Sequence, residues 1–247
     1  MNVIKSLAVW IIAICFVVIL FPVTLAVWLV ALPFDRNRSV IHRILVWQSY
    51  LFVKLIPLWK ITIEGREKAV RGTTYVIISN HKSIIDILLA NCLRYRYKWI
   101  SKIENRKIPV LGWYLRMADY ITVNRGDDES KAEMLARSVD CLKKGTSIMI
   151  FPEGTRTPGS GLGFFKRGAF ALAIDAGVPI LPVIIDGPGQ ILPKHGMILR
   201  NGFHLRVKVL DPIQPESFGT VFPEELALRL KTIMETELEK ISSDKPA

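Results

Sequence analysis

The sequence predicts an α/β fold with a mainly parallel central sheet flanked by helices and preceded by an N-terminal membrane-associated helical segment. After residue 60, short apolar runs alternate with amphipathic stretches, and several of these runs are apolar throughout. Strands buried on both faces have this composition, and a repeated strand–helix order favours right-handed parallel crossovers. Residues 6–34 carry no charged side chain. We therefore expect membrane-anchoring helices over residues 1–59 and one α/β domain over residues 60–247.

Strands are expected where apolar runs end at a glycine, a proline or a polar residue. They cover residues 61–64, 75–79, 98–102, 120–124, 147–151, 179–185 and 203–210. Helices are expected where apolar residues recur with helical spacing. They cover residues 83–93, 109–117, 128–144, 166–176 and 223–241. Gly145 and Gly177 follow two of these helices and favour their termination.

Residues 6–34 are long enough to cross a bilayer, which takes about 20 apolar residues. Pro22 interrupts the run, so a kinked single span and a re-entrant helical hairpin both stay open. A cleavable signal peptide fits poorly, because the apolar run is too long and no small-residue cleavage site follows it. Only Lys5 precedes the run, whereas several arginines follow it, which predicts a main domain on the cytoplasmic side of the cell membrane.

Residues 40–59 combine apolar and basic side chains with helical spacing and include Trp47 and Trp59. An amphipathic helix lying on a membrane has this composition. A helix packed on the domain core has the same pattern. The apolar stretch that precedes it in sequence favours the membrane interpretation.

The chain has 247 residues, a net charge of +11 and a mean hydropathy of +0.30. Six lysines and arginines but one glutamate lie within residues 94–107. A basic surface attracts anionic membrane lipids or an acidic carrier protein, and it also attracts nucleic acid. No nucleic-acid-binding module is recognisable, so no such partner is expected. Cys15, Cys92 and Cys141 show no metal-ligand spacing and no disulfide framework, so no metal is expected either.

Residues 147–157 contain the most informative turn of the sequence. An apolar strand ends at Pro152, which cannot donate to a sheet ladder, and Gly154 permits a tight turn. The turn presents Glu153 and Arg156 at the carboxyl end of a parallel strand, where α/β sheets bind ligands. The guanidinium group suits a phosphate or carboxylate partner.

His81 and Asp86 follow a second buried strand, residues 75–79. On one continuous helix they would point about 140° apart, so they meet only if His81 lies in the loop and Asp86 in the first helical turn, with Ser83 as N-cap. A carboxylate on one imidazole nitrogen leaves the other free to accept a proton from a substrate hydroxyl. Ser-x-x-Asp is also a capping box by itself, and a loop histidine needs no catalytic role. The neighbouring Glu153 turn favours the catalytic interpretation.

Four segments together resemble motifs I to IV of the glycerolipid acyltransferases, the superfamily of the 1-acylglycerol-3-phosphate acyltransferases. Asn80-His81-x-Ser83-x-x-Asp86 resembles motif I, and residues 151–157 resemble motif III. Residues 120–125 and 178–184 resemble motifs II and IV. The resemblance covers residues 60–210 and keeps the family's motif order. Asn124 departs from it, because many members carry an acidic residue before the arginine of motif II.

The resemblance implies an acyl transfer that gives phosphatidic acid and needs no cofactor. His81 would deprotonate the sn-2 hydroxyl of 1-acylglycerol 3-phosphate (lysophosphatidic acid), and Asp86 would orient His81. The alkoxide would attack the thioester of acyl-CoA or acyl-carrier protein. The glycerol phosphate of the acceptor would be bound by Glu153, Gly154, Thr155, Arg156, Arg125 and Lys102.

Several alternatives stay open. Glu153 could bind a glycerol hydroxyl, hold Arg156 or brace the turn, and the glycine-rich residues 157–163 could form a lid or a plain loop. Sibling enzymes that acylate glycerol 3-phosphate, a lysophospholipid or a lyso-ornithine lipid share the motifs. A non-catalytic basic protein that binds membranes would need neither His81 nor Asp86.

Overall fold

A computed structural model describes residues 2–159, 161–200 and 204–243. After residue 60, strands and helices alternate as expected. The helices are α1 (Asn2–Ala31), α2 (Ser39–Leu55), α3 (Ile85–Cys92), α4 (Leu111–Met117), α5 (Asp128–Lys143), α6 (Gly168–Ala176), α7 (Pro188–Ile191) and α8 (Pro223–Ser243). The strands are β1 (Lys60–Glu64), β2 (Val76–Ser79), β3 (Tyr97–Lys102), β4 (Ile121–Val123), β5 (Ser147–Ile150), β6 (Ile180–Asp186) and β7 (His204–Val209). Each strand and helix expected after residue 60 is confirmed to within two residues, except that position 203 lies outside the described residues. The helix expected over residues 40–59 ends at Leu55, four residues earlier than expected.

The seven strands form one sheet in the order β1-β7-β6-β2-β5-β3-β4. Neighbouring strands pair in parallel except β6 and β7, which are antiparallel. The mainly parallel α/β fold is therefore confirmed. Since β6, β2, β5, β3 and β4 all run in one direction, their carboxyl ends meet at a single edge of the sheet, which we call the carboxyl edge.

Helices cover both faces of the sheet, giving a three-layer arrangement. On one face, α1 to α4 share a core with side chains of the sheet, including Ile77, Tyr97 and Trp99. On the other face, α5, α6 and α8 pack over Val76, Ile78 and other strand residues. Because both faces are buried, β2 and β6 are apolar along most of their length, which is the pattern that the sequence displays.

Helix α1 runs continuously through Pro22, so the expected alternative of a re-entrant hairpin within residues 6–34 is wrong. Pro22 removes the main-chain donor that would otherwise reach the carbonyl oxygen of Val18, and this loss does not end the helix. Residues Val3–Ala31 are long and apolar enough to cross a membrane, and few of them are buried in the protein. The helix nevertheless packs along one side, where the Gln48 amide of α2 donates to Thr24 Oγ1 at 2.6 Å.

Helix α2 packs on the domain core, which differs from the membrane-lying helix favoured by its sequence. Ile41 and Leu45, two of its apolar residues, are buried in the core that α1 and α3 share. The apolar stripe of α2 is wide enough to cover α3 and still leave Trp47 55% exposed. Composition alone does not distinguish a stripe that meets protein from one that meets lipid.

Candidate active site

The loops after β2 and β5 meet at the carboxyl edge, because these strands are parallel neighbours with Ile78 opposite Ile150. The main-chain amide of Thr157 donates to the carbonyl oxygen of His81 at 2.9 Å. The two sequence motifs that were expected to form one site are therefore joined directly through the main chain.

His81 and Asp86 form the expected pair. Nδ1 of His81 lies 2.9 Å from Oδ2 of Asp86, and the Asp86 side chain is 1% exposed whereas that of His81 is 15% exposed. We assign the proton to Nδ1, because a carboxylate oxygen can only accept. Nε2 then carries the lone pair, and it has no hydrogen-bond partner among the described residues. The arrangement provides an oriented base with its accepting nitrogen open.

Asp86 also closes the turn that carries His81. Its Oδ2 atom accepts hydrogen bonds from the main-chain amides of Lys82 and Ser83 at 2.6 and 2.8 Å. These donors stabilise the carboxylate charge and fix its position. Ser83 is not the N-cap that the sequence predicted, because α3 begins two residues later and its N-cap is Ile84. The Ser83 hydroxyl donates to the carbonyl oxygen of Leu192 at 2.8 Å and accepts from the Ile85 amide at 3.4 Å.

An aromatic platform supports the His81 ring. The ring stacks on Phe151, with centroids 3.9 Å apart and planes 7° from parallel. Trp99 lies behind Phe151, with centroids 5.2 Å apart. Together with the bond to Asp86, the stack restricts the imidazole to one orientation.

Glu153 lies inside the junction between the two loops and is 4% exposed. Its Oε1 atom accepts a hydrogen bond from the His81 amide at 2.8 Å, and its Oε2 atom accepts one from the Gly163 amide at 2.9 Å. A β-carbon at Gly163 would lie 2.7 Å from Glu153 Oε2, so only glycine permits this approach. Of the three roles left open by the sequence, these contacts support the brace, made through main-chain amides and not through an ion pair.

The glycine-rich segment 157–163 is attached to the His81 loop at several points. Lys82 donates from Nζ to the carbonyl oxygens of Gly159 and Gly161, at 2.6 and 2.7 Å. Burial lowers the pKa of Lys82. With the bonds at Thr157 and Gly163, these contacts tie the described residues of the segment, 157–159 and 161–163, to the loops after β2 and β5, which favours a fixed loop over a lid.

Basic side chains surround the turn at residues 153–156. Arg156 is half-buried and forms no ion pair among the described residues, so its charge is available to a ligand. Lys194 donates from Nζ to Oγ1 of the exposed Thr155 at 3.1 Å. Gly154 adopts a φ of +68°, and the Lys166 ammonium group lies 3.1 Å from the position that a β-carbon at Gly154 would occupy. The turn is thus a cationic corner of the site.

Lys102 and Arg125 lie farther along the same edge. Lys102 ends β3 opposite Val123 of β4, and Arg125 follows two residues later. Since neighbouring strands are about 4.8 Å apart, these two residues lie roughly 10 and 15 Å from the strand that carries His81. Lys102 pairs with Glu104 at 2.8 Å, which offsets part of its charge. The cationic side chains therefore lie at increasing distances along the carboxyl edge and do not form one compact cluster.

Sequence reasoning missed Lys82, Lys194 and Asn80 as contributors to this geometry. The Asn80 side chain donates to the carbonyl oxygen of Ile185 and accepts from its amide, both at 2.8 Å, which fastens the end of β2 to β6. Lys82 and Asn80 lie within the motif around His81, and that position was the signal that could have identified them as part of the site. Lys194 lies 39 residues from Thr155, and no local pattern predicts their contact. Among the described residues, no group of metal-ligating side chains was found.

Comparisons with known proteins identify the family to which the chain belongs. The acyltransferase family model matches residues 60–186. A chloroplast 1-acyl-sn-glycerol-3-phosphate acyltransferase of Brassica napus is 37% identical over 74% of this chain and 53% of its own length, so the chain spans about half of that relative. The Escherichia coli 1-acyl-sn-glycerol-3-phosphate acyltransferase is 31% identical over 79% of this chain and 80% of its own.

A solved structure is similar over the whole length. The crystal structure of a 1-acyl-sn-glycerophosphate acyltransferase from Thermotoga maritima superposes with a TM-score of 0.82 at 25% identity, covering 100% of this chain and 98% of that one. The family match and these relatives together show that the chain belongs to the acyltransferase family that includes the 1-acyl-sn-glycerol-3-phosphate acyltransferases.

Proposed function

We propose that this protein transfers a fatty acyl group from acyl-CoA or acyl-carrier protein to the sn-2 hydroxyl of 1-acylglycerol 3-phosphate, giving phosphatidic acid. The observation that carries the proposal is the His81–Asp86 pair, joined at 2.9 Å with Nε2 of His81 open, at the same edge as Arg156. A base beside a cationic corner suits an acceptor that has both a hydroxyl and a phosphate. The names of the similar proteins support this acceptor.

The chemistry needs one base and no protein nucleophile. Nε2 of His81 accepts the proton of the acceptor hydroxyl while the hydroxyl oxygen forms a bond to the thioester carbonyl carbon. The tetrahedral intermediate then collapses, the carbon–sulfur bond breaks, and His81 returns the proton to the departing thiolate. Asp86 accepts from Nδ1–H throughout and stabilises the positively charged imidazole.

The acceptor phosphate binds at the cationic corner. Arg156 forms no ion pair within the described part of the chain, and Gly154 and the Thr155 hydroxyl belong to the same turn. Arg125 and Lys102 supply further positive charge along the edge and attract the phosphate at longer range. We assign Glu153 to positioning, because both its oxygens already accept main-chain amides. The proposed reaction uses no metal and no cofactor.

The protein works at the cytoplasmic side of the cell membrane. Residues 1–59 anchor it through the exposed apolar side of α1, and residues 60–247 carry the reaction. In support, the outward side chains Ile4, Ile14 and Val30 of α1 are 75%, 62% and 75% exposed, and long apolar surfaces of this kind meet lipid. An enzyme held at the membrane can take up an acceptor and release a product that both reside in the bilayer.

An acceptor panel tests the proposed function. Purified protein is given a radiolabelled acyl-CoA or acyl-carrier protein with lysophosphatidic acid, glycerol 3-phosphate, lysophosphatidylcholine or a lyso-ornithine lipid. We expect labelled product with lysophosphatidic acid at the highest rate. A higher rate with another acceptor would reassign the substrate, and no transfer to any acceptor, together with intact vesicle binding, would favour a non-catalytic membrane-binding protein.

A further inference from the structure

The loop between α7 and β7, whose described part ends at Arg200, carries an exposed apolar tip. Met197 is 67% exposed and Ile198 is 51% exposed. Lys194 and His195 precede this tip and Arg200 follows it. Two adjacent apolar side chains flanked by basic ones have the composition of a segment that enters the interfacial layer of a membrane.

Two hydrogen bonds fasten the tip to α1. The Trp10 indole donates from Nε1 to the carbonyl oxygen of Met197 at 2.8 Å. The Leu199 amide donates to Oγ of Ser6, which is 4% exposed, also at 2.8 Å. Both bonds hold the tip against the first turns of α1. Outward-facing side chains in these turns, Leu7 and Ile11, are 60% and 51% exposed, so the tip extends the apolar surface of the helix.

The same loop contacts the loops that follow β2 and β5. The carbonyl oxygen of Leu192 accepts from the Ser83 hydroxyl at 2.8 Å, beside the His81–Asp86 pair. Lys194 donates to Thr155 at 3.1 Å, in the turn of the cationic corner. Within the loop, the Arg200 amide donates to the carbonyl oxygen of Ile191 at 3.0 Å and closes its base. A short, closed loop thus connects the apolar surface of α1 to the site.

We propose that residues 193–200 form a membrane-contacting loop that inserts Met197 and Ile198 into a bilayer beside α1, with Arg200 and Lys194 facing anionic headgroups. A lipid surface fits this loop because the tip continues the exposed apolar side of α1 and its flanks are cationic. The loop then sets the height of the carboxyl edge above the bilayer, so that an acceptor embedded in lipid reaches His81. This inference rests on the proposed function for the location of the acceptor, and on the loop geometry alone for lipid contact.

A double substitution, Met197→Ser with Ile198→Ser, separates membrane contact from catalysis. Initial rates are measured with a long-chain lysophosphatidic acid in vesicles of phosphatidylcholine and phosphatidylglycerol, and with a short-chain, water-soluble lysophosphatidic acid. We expect the vesicle rate to fall about tenfold, the scale for withdrawing two partly buried apolar side chains, and the soluble rate to stay unchanged. Leu228→Ser is the matched control, since Leu228 is also 67% exposed but lies on α8, across the sheet.

An equal loss of rate on both acceptors, or no loss on either, would overturn the proposed loop.

A fluorescent probe gives a second readout that needs no activity. Ile198→Cys is made together with Cys15→Ser and Cys141→Ser and is labelled with an environment-sensitive dye. The dye emission should shift to shorter wavelength on vesicles and be quenched by lipids with brominated chains. Absence of quenching would contradict lipid contact. A shift that appears without lipid and depends on protein concentration would also contradict it and would indicate that the loop contacts a second copy of the chain. Quenching without acyl transfer by the unsubstituted protein would reject the proposed function and leave the loop standing.

Discussion

Oε1 of Glu153 accepts a hydrogen bond from the main-chain amide of His81 at 2.8 Å, so a carboxylate in one motif loop fixes the backbone of the other. Its second oxygen holds the Gly163 amide at 2.9 Å. Glu153 thereby joins the His81 loop to a second point of its own loop, ten residues farther along the chain. Both carboxylate oxygens of Glu153 are thus engaged by main-chain amides.

Replacing Glu153 by Gln tests this positioning role. An amide has one accepting oxygen, so one of the two main-chain donors loses its partner in a buried place. Such a loss costs about 1–3 kcal/mol, and we expect kcat to fall roughly tenfold to a hundredfold. The KM for the acceptor should change little. A variant with normal kcat and a strongly raised acceptor KM would instead assign Glu153 to glycerol binding.

Gly163→Ala should disturb the same contact from the other side. The added methyl group would lie 2.7 Å from Glu153 Oε2 and would also meet the Thr157 hydroxyl. We expect a loss of kcat similar to that of Glu153→Gln. Gly161→Ala is the control, because the nearest atom to its added methyl group is 4.0 Å away. If both glycine variants behave alike in steady-state kinetics, the close packing at Gly163 has no catalytic role.

Arg156→Ala tests the assignment of the acceptor phosphate. Removing a hydrogen bond to a charged group costs about 1.5–3 kcal/mol. The KM for lysophosphatidic acid should therefore rise roughly tenfold to a hundredfold, while the KM for the acyl donor stays near its original value. Arg229→Ala, an exposed position on α8, should leave both constants unchanged. A raised donor KM with a normal acceptor KM would move Arg156 to the donor site.

His42 predicts a pH dependence of stability that is separate from the active site. Its Nδ1 accepts from the Tyr120 hydroxyl and its Nε2 donates to the Tyr95 carbonyl oxygen, both at 2.8 Å, which satisfies the neutral ring. Burial lowers the pKa of His42 from 6.5 to about 4. The pKa of His42 is higher in the unfolded chain than in the folded protein, so the unfolded chain binds the proton first as the pH falls. The contribution of His42 to the free energy of unfolding is therefore complete above pH 6.5 and declines as the pH falls toward 4, by up to about 3 kcal/mol.

Denaturant unfolding in detergent at pH 7 and pH 4.5 measures this decline. His42→Gln carries no titrating ring, so the free energy of unfolding of that variant should change less between the two pH values. The difference between the two changes isolates the contribution of His42 from those of the carboxylates. Equal changes in both proteins would show that His42 is not held neutral.

The sequence predicted the strands well for a physical reason. Each is a run of apolar residues bounded by proline, glycine or a polar residue, and burial between two helical layers demands that composition. The His81–Asp86 pair was also predictable, because a spacing of five permits contact only across a loop and a first helical turn. The contacts of Glu153 were not, since they are made to main-chain amides of segments 72 residues and 10 residues away.

The N-terminal segment marks a second limit of sequence reasoning. An apolar stripe predicts that a helix meets an apolar surface but not which surface. Helix α2 buries Ile41 in the protein and leaves Trp47 exposed, so one stripe serves two environments. In α1, Pro22 suggested a break, yet the helix runs continuously through it.

The proposed reaction predicts a specific effect of removing the base. Purified protein and its His81→Ala variant are compared for formation of phosphatidic acid from lysophosphatidic acid and a labelled acyl thioester, with vesicle binding measured on the same samples. General base catalysis contributes about 10²–10⁴-fold, so we expect the variant to lose at least 99% of the rate while binding vesicles as the original protein does. Full activity in His81→Ala would contradict the account, because the open Nε2 of His81 would then have no part in the transfer.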